Sequence, residues 1–307
     1  MQLHYNILNV FTTEVNAGNP LAVVHGADHL NDVRMQAIAK EFNFSETVFL
    51  RRPEKFTNAA SLRIFTPKYE LPFAGHPTIG AAVWLGIQKR AAAVRLEEKI
   101  GRITCVVERK NKTTGSARFI LPEIPEDVGA APDNDGVAKT LGISPEEIGF
   151  GAFPVTRQFS AGISFYLIPV KNAEVLANLK LERRGWASIY PERAGSVYVF
   201  TATPEERGVD FAARMFSPNT PTGEDPATGS AAGALIGLLA EDPAHSEGQR
   251  NYTIRQGWEM GRKSIIEIQV GLDAGRLVHA SIGGSAVTVA DGLLEIPDEE
   301  ETNGHNC

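Results

Sequence analysis

"GEDPATGSAAGALIGLL", residues 223–239, decides the fold. Its first residues are acidic and turn-forming. Asp225 followed by Pro226 reads as a helix start, because Asp caps free amides and Pro suits the first helical position. From Ser230 to Leu239 the run is small and apolar, without the polar side that a surface helix carries. A helix with no wet face must be enclosed, and a curved sheet wrapped around it is the economical enclosure.

The enclosure is announced twice. Displaced by 151 residues, "FSETVFLRRPEKFTNAASLRIFTP" (44–67) lies over "GSVYVFTATPEERGVDFAARMFSP" (195–218) without gaps, and eight of the 24 positions are identical. After a slip of three, "FAGHPTIGAAVWLG" (73–86) lies over "ATGSAAGALIGLLA" (227–240), so that Gly75 meets Gly229 and His76 meets Ser230. Upstream, "NAGNPLAVV" (16–24) resembles "SAGISFYLI" (160–168) at a different offset. Three segments in the same order predict two halves of like fold, each of ordinary domain size.

Each half reads as a strand (Leu21–Val24; Phe165–Ile168), a helical stretch, two strands, the apolar helix and further strands. In the first half the helical stretch opens at Asn31, with Val33, Met35, Ile38 and Phe42 as its apolar positions. "AVRLEE", "ITCVVER" and "ARFILP" follow in half one, and "YTIRQG", "SIIEIQV", "LVHASIGG", "AVTVAD" and "LLEIP" in half two. Several alternate with the period of one-sided strands. The expected class is α+β: two pseudo-symmetric domains, each a curved, mostly antiparallel sheet around a central apolar helix. The Pro/Gly/Asp-rich stretch 122–136 is the expected linker. The expected division is 1–124, rejoined by a C-terminal strand at 286–297, then 125–285, then an acidic, disordered tail at 298–307.

Composition narrows the function. A chain with 43% hydrophobic and 22% charged residues is globular rather than disordered. Four of the acids behind its net charge of −7 sit together in the tail (Asp298 to Glu301), and no basic run suggests nucleic acid as a partner. The N-terminus lacks the pattern of a secretory signal, and no apolar run reaches membrane-spanning length. Cys105 and Cys307 form no metal or redox spacing and suit a reducing compartment, so a cytoplasmic location without membrane contact is expected. The histidines show no metal spacing, and no metal is expected.

The two apolar helices open on "PFAGHP" and "DPATGS". A helix start leaves amides without intrahelical partners and concentrates positive potential, and glycine lets a ligand approach the backbone closely. Two such starts facing one cleft suit a carboxylate or a developing enolate. His76 titrates near neutrality. Glu46 and Asp225 are carboxylates that burial can raise toward a useful range, and Ser230 can donate or accept. A base, an acid and an anion cradle are what proton removal beside a carboxylate or conjugated diene needs. Each residue alone also has a plain reading: Asp225 as a helix cap, His76 as a loop histidine, Glu46 as a solvated strand charge. Glu46, however, breaks the repeat, since Val197 stands opposite it.

"VFTTEVNAGNPLAVV", "NFSETVFL", "RIFTPKYELPFAGHPTIGAA", "GEDPATGSAAGAL" and "QGWEMGRKS", in this order across residues 5–296, resemble the phenazine-biosynthesis-like (PhzF-like) isomerase family. The resemblance implies a diaminopimelate-epimerase-like fold with the site between the two domains, proton transfer without a cofactor, and a tendency to dimerise. It implies that Glu46 moves a proton between substrate carbons, with His76, Asp225 and Ser230 as catalytic partners. Ser45, Gly75 and Gly229 are then expected to bind substrate, the glycines through their N–H groups. The family's named member acts on a dihydro-hydroxyanthranilate. Two-cysteine racemases share the fold, but Ala74 and Thr228 stand where their thiols would be, so that chemistry is not expected here.

The alternative reading is a small-acid binding or regulatory protein that uses the same cleft without turnover. A bilobal aspartic protease fails for want of an Asp before each Thr/Ser-Gly. A phosphate-binding loop fails for want of its Lys, and no Gly-x-Gly-x-x-Gly opens a helix after a strand.

Overall fold

The computed structural model describes residues 1–129, 131–191, 195–218, 220 and 222–296. The expected disordered tail and Cys307 lie outside these. The first half runs β1 (Gln2–Val10), β2 (Asn19–Val24), α1 (Asp32–Phe42), β3 (Glu46–Arg51), β4 (Ala60–Phe65), β5 (Glu70–Leu71), α2 (Gly75–Lys89), β6 (Ala93–Glu98), β7 (Gly101–Arg109) and β8 (Thr114–Ile120). The second runs β9 (Glu126–Gly129), α3 (Asn134–Leu141), β10 (Arg157–Ser160), β11 (Ser164–Pro169), α4 (Ala173–Ala177), α5 (Trp186–Ile189), β12 (Val197–Ala202), β13 (Phe211–Phe216), β14 (Glu224–Asp225), α6 (Gly229–Leu239), β15 (Gly248–Gln256), β16 (Ser264–Asp273) and β17 (Arg276–Glu295).

The fold is α+β, a mostly antiparallel strand system wrapped around two apolar helices. The repeat is carried strand for strand. The parallel pair β2–β3 recurs as β11–β12, and β4–β6 as β13–β15. The antiparallel pairs β3–β4 and β4–β5 recur as β12–β13 and β13–β14. Arg63 of β4 forks onto Glu70 of β5, and Arg214 of β13 forks onto Glu224 of β14; each guanidinium also lies over the Phe two residues on. The same ion pair thus closes the same hairpin in both halves.

In α6 every residue but Ser230 is buried, and α2 is buried from Gly75 to Val83 and from Leu85 to Ile87. α2 packs among β1, β2, β6, β7 and β8, and α6 among β9, β10, β11 and β16; β17 touches both. This enclosure explains why neither helix needs a polar side.

Four local expectations differ from the structure. The helix does not begin at Asp225-Pro226: Asp225 belongs to β14, paired with Met215, and Thr228 is the N-cap of α6. The Asp225 carboxylate accepts from Asn19, Ser45 and the Thr228 hydroxyl rather than capping the first amides of α6. Val33 is 77% exposed, because the inward seam of α1 runs through Met35, Ile38 and Ala39, and position 33 falls off it at 100° per residue. The expected linker carries β9, which pairs with β10, and reaches the start of α3. The last three expected strands are one. β17 pairs in turn with β16, β8 and β1, and its glycines mark close approach rather than breaks: a Cβ on Gly284 would lie 2.3 Å from the Phe11 ring.

Candidate active site

The starts of α2 and α6 meet head to head. A Cβ added to Gly75 would lie 3.1 Å from both Cα and C of Gly229, and one added to Gly229 would lie 3.3 Å from Gly75 Cα. A Cβ at either position would require the facing backbone to give by a few tenths of an ångström. Ala74 and Thr228 are the N-caps; neither start has a side-chain cap, and neither first turn holds an acid. Two sets of amides without intrahelical partners and two positive helix ends therefore converge, with the Asp225 carboxylate beside the start of α6, bonded to the Thr228 hydroxyl.

Beside this junction lies a cavity of about 150 Å³ between the halves. Its wall repeats the internal symmetry. Ser45 and Ser196 line it, as do Thr66 and Ser217, both pairs 151 residues apart. Leu71 and Asp225 line it also, 154 apart, the offset of the helices themselves. The chemistry breaks that symmetry, since Glu46 stands where the other half has Val197, Asp225 where it has Leu71, and His76 where it has Ser230. Carboxyls and hydroxyls share the wall with the apolar side chains of Leu71, Ile163, Phe165 and Met215. No Lys or Arg is among the described lining residues.

Glu46 opens β3 and keeps 17% of its side chain exposed, toward the cavity. Its Oε2 lies 3.0 Å from Nδ1 of His76, which is buried in the first turn of α2. Burial pushes the Glu46 carboxyl well above the usual carboxylate range, and the charge of Asp225 adds to this. Burial holds His76 down to about 3, only partly offset by the Pro20 carbonyl. The imidazole is therefore neutral, and its contact with Glu46 is a hydrogen bond rather than an ion pair.

Asp225 is buried, with three side chains donating to it. Ser45 Oγ donates to Oδ1 at 2.6 Å, Thr228 Oγ1 to Oδ2 at 2.5 Å, and Asn19 Nδ2 to both oxygens at 3.1 and 3.2 Å. Burial pushes its carboxyl up, and these hydrogen bonds work against that push. Gln256 fixes the loop from outside: its Nε2 donates to the Asp225 carbonyl at 2.8 Å, and its Oε1 accepts from the Thr228 N–H at 3.1 Å.

Glu46 and His76 thus touch directly, Ser45 and Asp225 are joined across 180 residues, and Ser230 lines the same cavity, half-buried. Gly75, Gly229 and His76 are not among the residues that line the cavity. Sequence reasoning missed Asn19, Thr228 and Gln256. The first two lie inside quoted motifs and Gln256 opens another, but nothing local separates a buried amide that orients a carboxylate from one that pairs with solvent. Cys105 is fully buried in the core, its thiol pushed up by burial and by Glu98, and takes no part. Among the described residues no three His, Cys, Asp or Glu side chains converge as metal ligands, and no helix is long and apolar enough to cross a membrane.

A family profile described as "Phenazine biosynthesis-like protein" matches residues 8–292. An uncharacterised isomerase of Mesorhizobium japonicum is 42% identical over 300 residues, covering 95% of this chain and 99% of that one. The trans-2,3-dihydro-3-hydroxyanthranilate isomerase of Pseudomonas chlororaphis is 34% identical over 291 residues, with 95% and 99% covered. Among solved structures, a Bacillus anthracis phenazine biosynthesis protein of the PhzF family superposes with a TM-score of 0.85 at 24% identity, covering 96% of this chain and 100% of that one, a likeness of fold.

Proposed function

The chain belongs to the phenazine biosynthesis-like family and is an isomerase, and on that premise we propose that it shifts a carbon-bound proton within one small unsaturated carboxylic acid, without a cofactor. The observation that carries this reading is the placement of Glu46. It is a carboxyl raised by burial, hydrogen-bonded to a neutral imidazole and open to a ring-sized cavity beside two uncapped helix starts.

The substrate carboxylate sits at the start of α6, where Thr228 and Ser230 reach the wall, with the positive ends of both helices behind it and no Lys or Arg among the described lining residues. Glu46 takes a proton from a carbon conjugated with that carboxylate. The C–H electron pair enters the conjugated system, and the enolate charge is stabilised by the same helix starts. Glu46 then returns the proton to another carbon of the system, so one C–H bond breaks, one forms, and nothing is oxidised. A carboxyl raised toward the working pH is a stronger base when ionised and still gives the proton back. Asp225 and Ser230 bind the polar edge of the substrate, and the Ser230 hydroxyl relays protons to its heteroatoms, while Leu71, Ile163, Phe165 and Met215 take its hydrocarbon side. A cavity near 150 Å³ can admit one benzene-sized ring, which favours a cyclic acid such as the dihydro-hydroxyanthranilate named for the Pseudomonas relative.

The test is solvent exchange. Candidate ring and open-chain unsaturated acids are incubated with the protein in D₂O and followed by proton NMR. Wild-type protein should introduce deuterium at carbon and Glu46→Gln should not. Equal incorporation by both proteins would remove Glu46 from the role of base.

A further inference from the structure

We propose that Asn19 is a positioning residue: from the opposite half of the molecule it holds Asp225 as the charged member of the carboxyl pair, and so leaves the proton on Glu46. A hydroxyl can donate or accept, so Ser45 and Thr228 fit Asp225 in either protonation state. A side-chain amide nitrogen only donates. Asn19 Nδ2 carries two hydrogens and has three oxygens within reach: Asp225 Oδ1 at 3.1 Å, Oδ2 at 3.2 Å and the Ala227 carbonyl at 2.8 Å. One hydrogen goes to Ala227 and the other is shared by the two carboxylate oxygens. That donor cannot accept an Asp225 proton, and it bonds a charged carboxylate more strongly than a neutral carboxyl.

Glu46 meets the opposite condition. Its partner is the Nδ1 of a neutral imidazole at 3.0 Å, which accepts from a carboxylic O–H in one tautomer and donates to a carboxylate in the other. The pair therefore has one carboxyl held by a donor that cannot reverse and one whose partner can. A single proton between them belongs on Glu46.

Asn19 is held firmly enough to impose this. It is fully buried at the head of β2 and paired with Val10 of β1. The turn before it is gripped by Arg262, whose Nε lies 2.9 Å from the Gly18 carbonyl and whose Nη2 lies 2.8 Å from that of Ala17; Gly18 N–H also donates to the Lys263 carbonyl at 3.0 Å. The "GRK" of residues 261–263 thus acts on the site through the turn at residues 17–19. The other titratable groups facing the pair are His76, Tyr69 at the cavity wall and Tyr198 on β12. Tyr198 is pushed above its usual range by burial and by the charge of Asp225. No cation lines the cavity among the described residues to compete for the charge.

The proton's position can be read without substrate, so it is separable from the isomerase reading; only its catalytic consequence rests on Glu46 being the base. Protein is prepared with ¹³C carboxyls in either Glu or Asp, and the protonated-carboxyl stretch is recorded by infrared spectroscopy at neutral pH. In wild type, the Glu label should shift a band that Glu46→Gln abolishes, and the Asp label should leave that band in place. Glu98, lifted by burial to about 8, supplies a second band that Glu46→Gln preserves as a reference. In Asn19→Leu the band should follow the Asp label, and the acid limb of kcat/KM should move to lower pH, because a neutral Asp225 no longer holds the Glu46 pKa up. Thr228→Val removes a reversible donor and should leave the proton on Glu46. A wild-type band that follows the Asp label would overturn the proposal even if no Asn19 variant folds. So would a folded Asn19→Leu protein whose proton stays on Glu46. Solvent exchange that survives Glu46→Gln would instead sink the base assignment and leave the proton assignment standing.

Discussion

A methyl group added to Gly75 tests the junction between the two helices. The new Cβ would lie 3.1 Å from Cα and C of Gly229 and 3.2 Å from the Ser230 nitrogen, against 3.4–4 Å for ordinary contact. All three are backbone atoms, so no rotamer change relieves the crowding and the helix starts must part by a few tenths of an ångström. Overpacking of this kind costs about 1–3 kcal/mol. Alanine's better helix propensity returns at most about 1 kcal/mol, and less at a first helical position. The net loss of about 1–2 kcal/mol corresponds to a fall of roughly 2–8 °C in melting temperature for a domain of 150–250 residues. Since a 1 Å misplacement can cost a factor of about 100, a few tenths should lower the exchange rate roughly three- to tenfold. Gly229→Ala should cost a similar amount: its shortest contact, 3.1 Å, is with Cζ of the fully buried Phe11, which ring rotation does not move, and the next, 3.3 and 3.4 Å, are with the Gly75 backbone. In the double variant both methyls claim one gap, so the loss should exceed the sum of the singles by about 0.5 kcal/mol or more. Calorimetry of the four proteins and their deuterium-exchange rates supply the cycle. A Gly75→Ala protein with wild-type melting and rate, or strict additivity in the double variant, would refute the close approach as the reason for these glycines.

The twinned ion pairs should not respond alike: Arg214→Leu leaves Glu224 without its fork and should cost about 3–5 kcal/mol in denaturant unfolding. Arg63→Leu should cost less, since Glu70 keeps Lys99. Glu98 donates a different effect. Its pKa of about 8 in the folded state exceeds that of the unfolded chain, so its contribution to stability is fully present below the unfolded carboxylate range and is lost as pH rises toward 8. Glu98→Gln, which can still bond Thr78, should therefore raise the unfolding midpoint at pH 8, by an amount on the order of a few kcal/mol, and much less at pH 5. For catalysis, kcat/KM of the wild type should fall as pH drops through a value above the ordinary carboxylate range, where Glu46 takes up its proton. His76→Gln should lower the rate and keep that acid limb, because His76 is neutral throughout the working range.

The fold was legible because it was written twice. Strands β3 and β4 recur as β12 and β13 at the displacement read from the sequence, and the slip of three falls between β4 and β5, where a longer loop in the second half absorbs it. The wholly apolar run of α6 demanded enclosure, and it is enclosed. Local signals failed where distant partners decide. Asp225-Pro226 has the chemistry of a helix start, yet Ser45 and Asn19, 180 and 206 residues away, claim the carboxylate. Within the site, residue types suited to proton transfer could be picked out wherever the repeat was broken, as at Glu46 against Val197. The amides of Asn19 and Gln256 could not, since their value lies in a single buried contact that no periodicity records. The glycines of β17 look like strand ends in sequence and prove to be seats for Phe11, Arg118 and Tyr5.

The central claim is that two uncapped helix starts and one raised carboxyl act on the same small acid. A crystal structure of Glu46→Gln with a slowly reacting or product acid tests it most directly. The ligand carboxylate should lie at the start of α6, beside Thr228 and Ser230, with a ring or alkene carbon facing the residue 46 side chain. A ligand seated elsewhere, or one whose carbons face away from residue 46, would contradict the account.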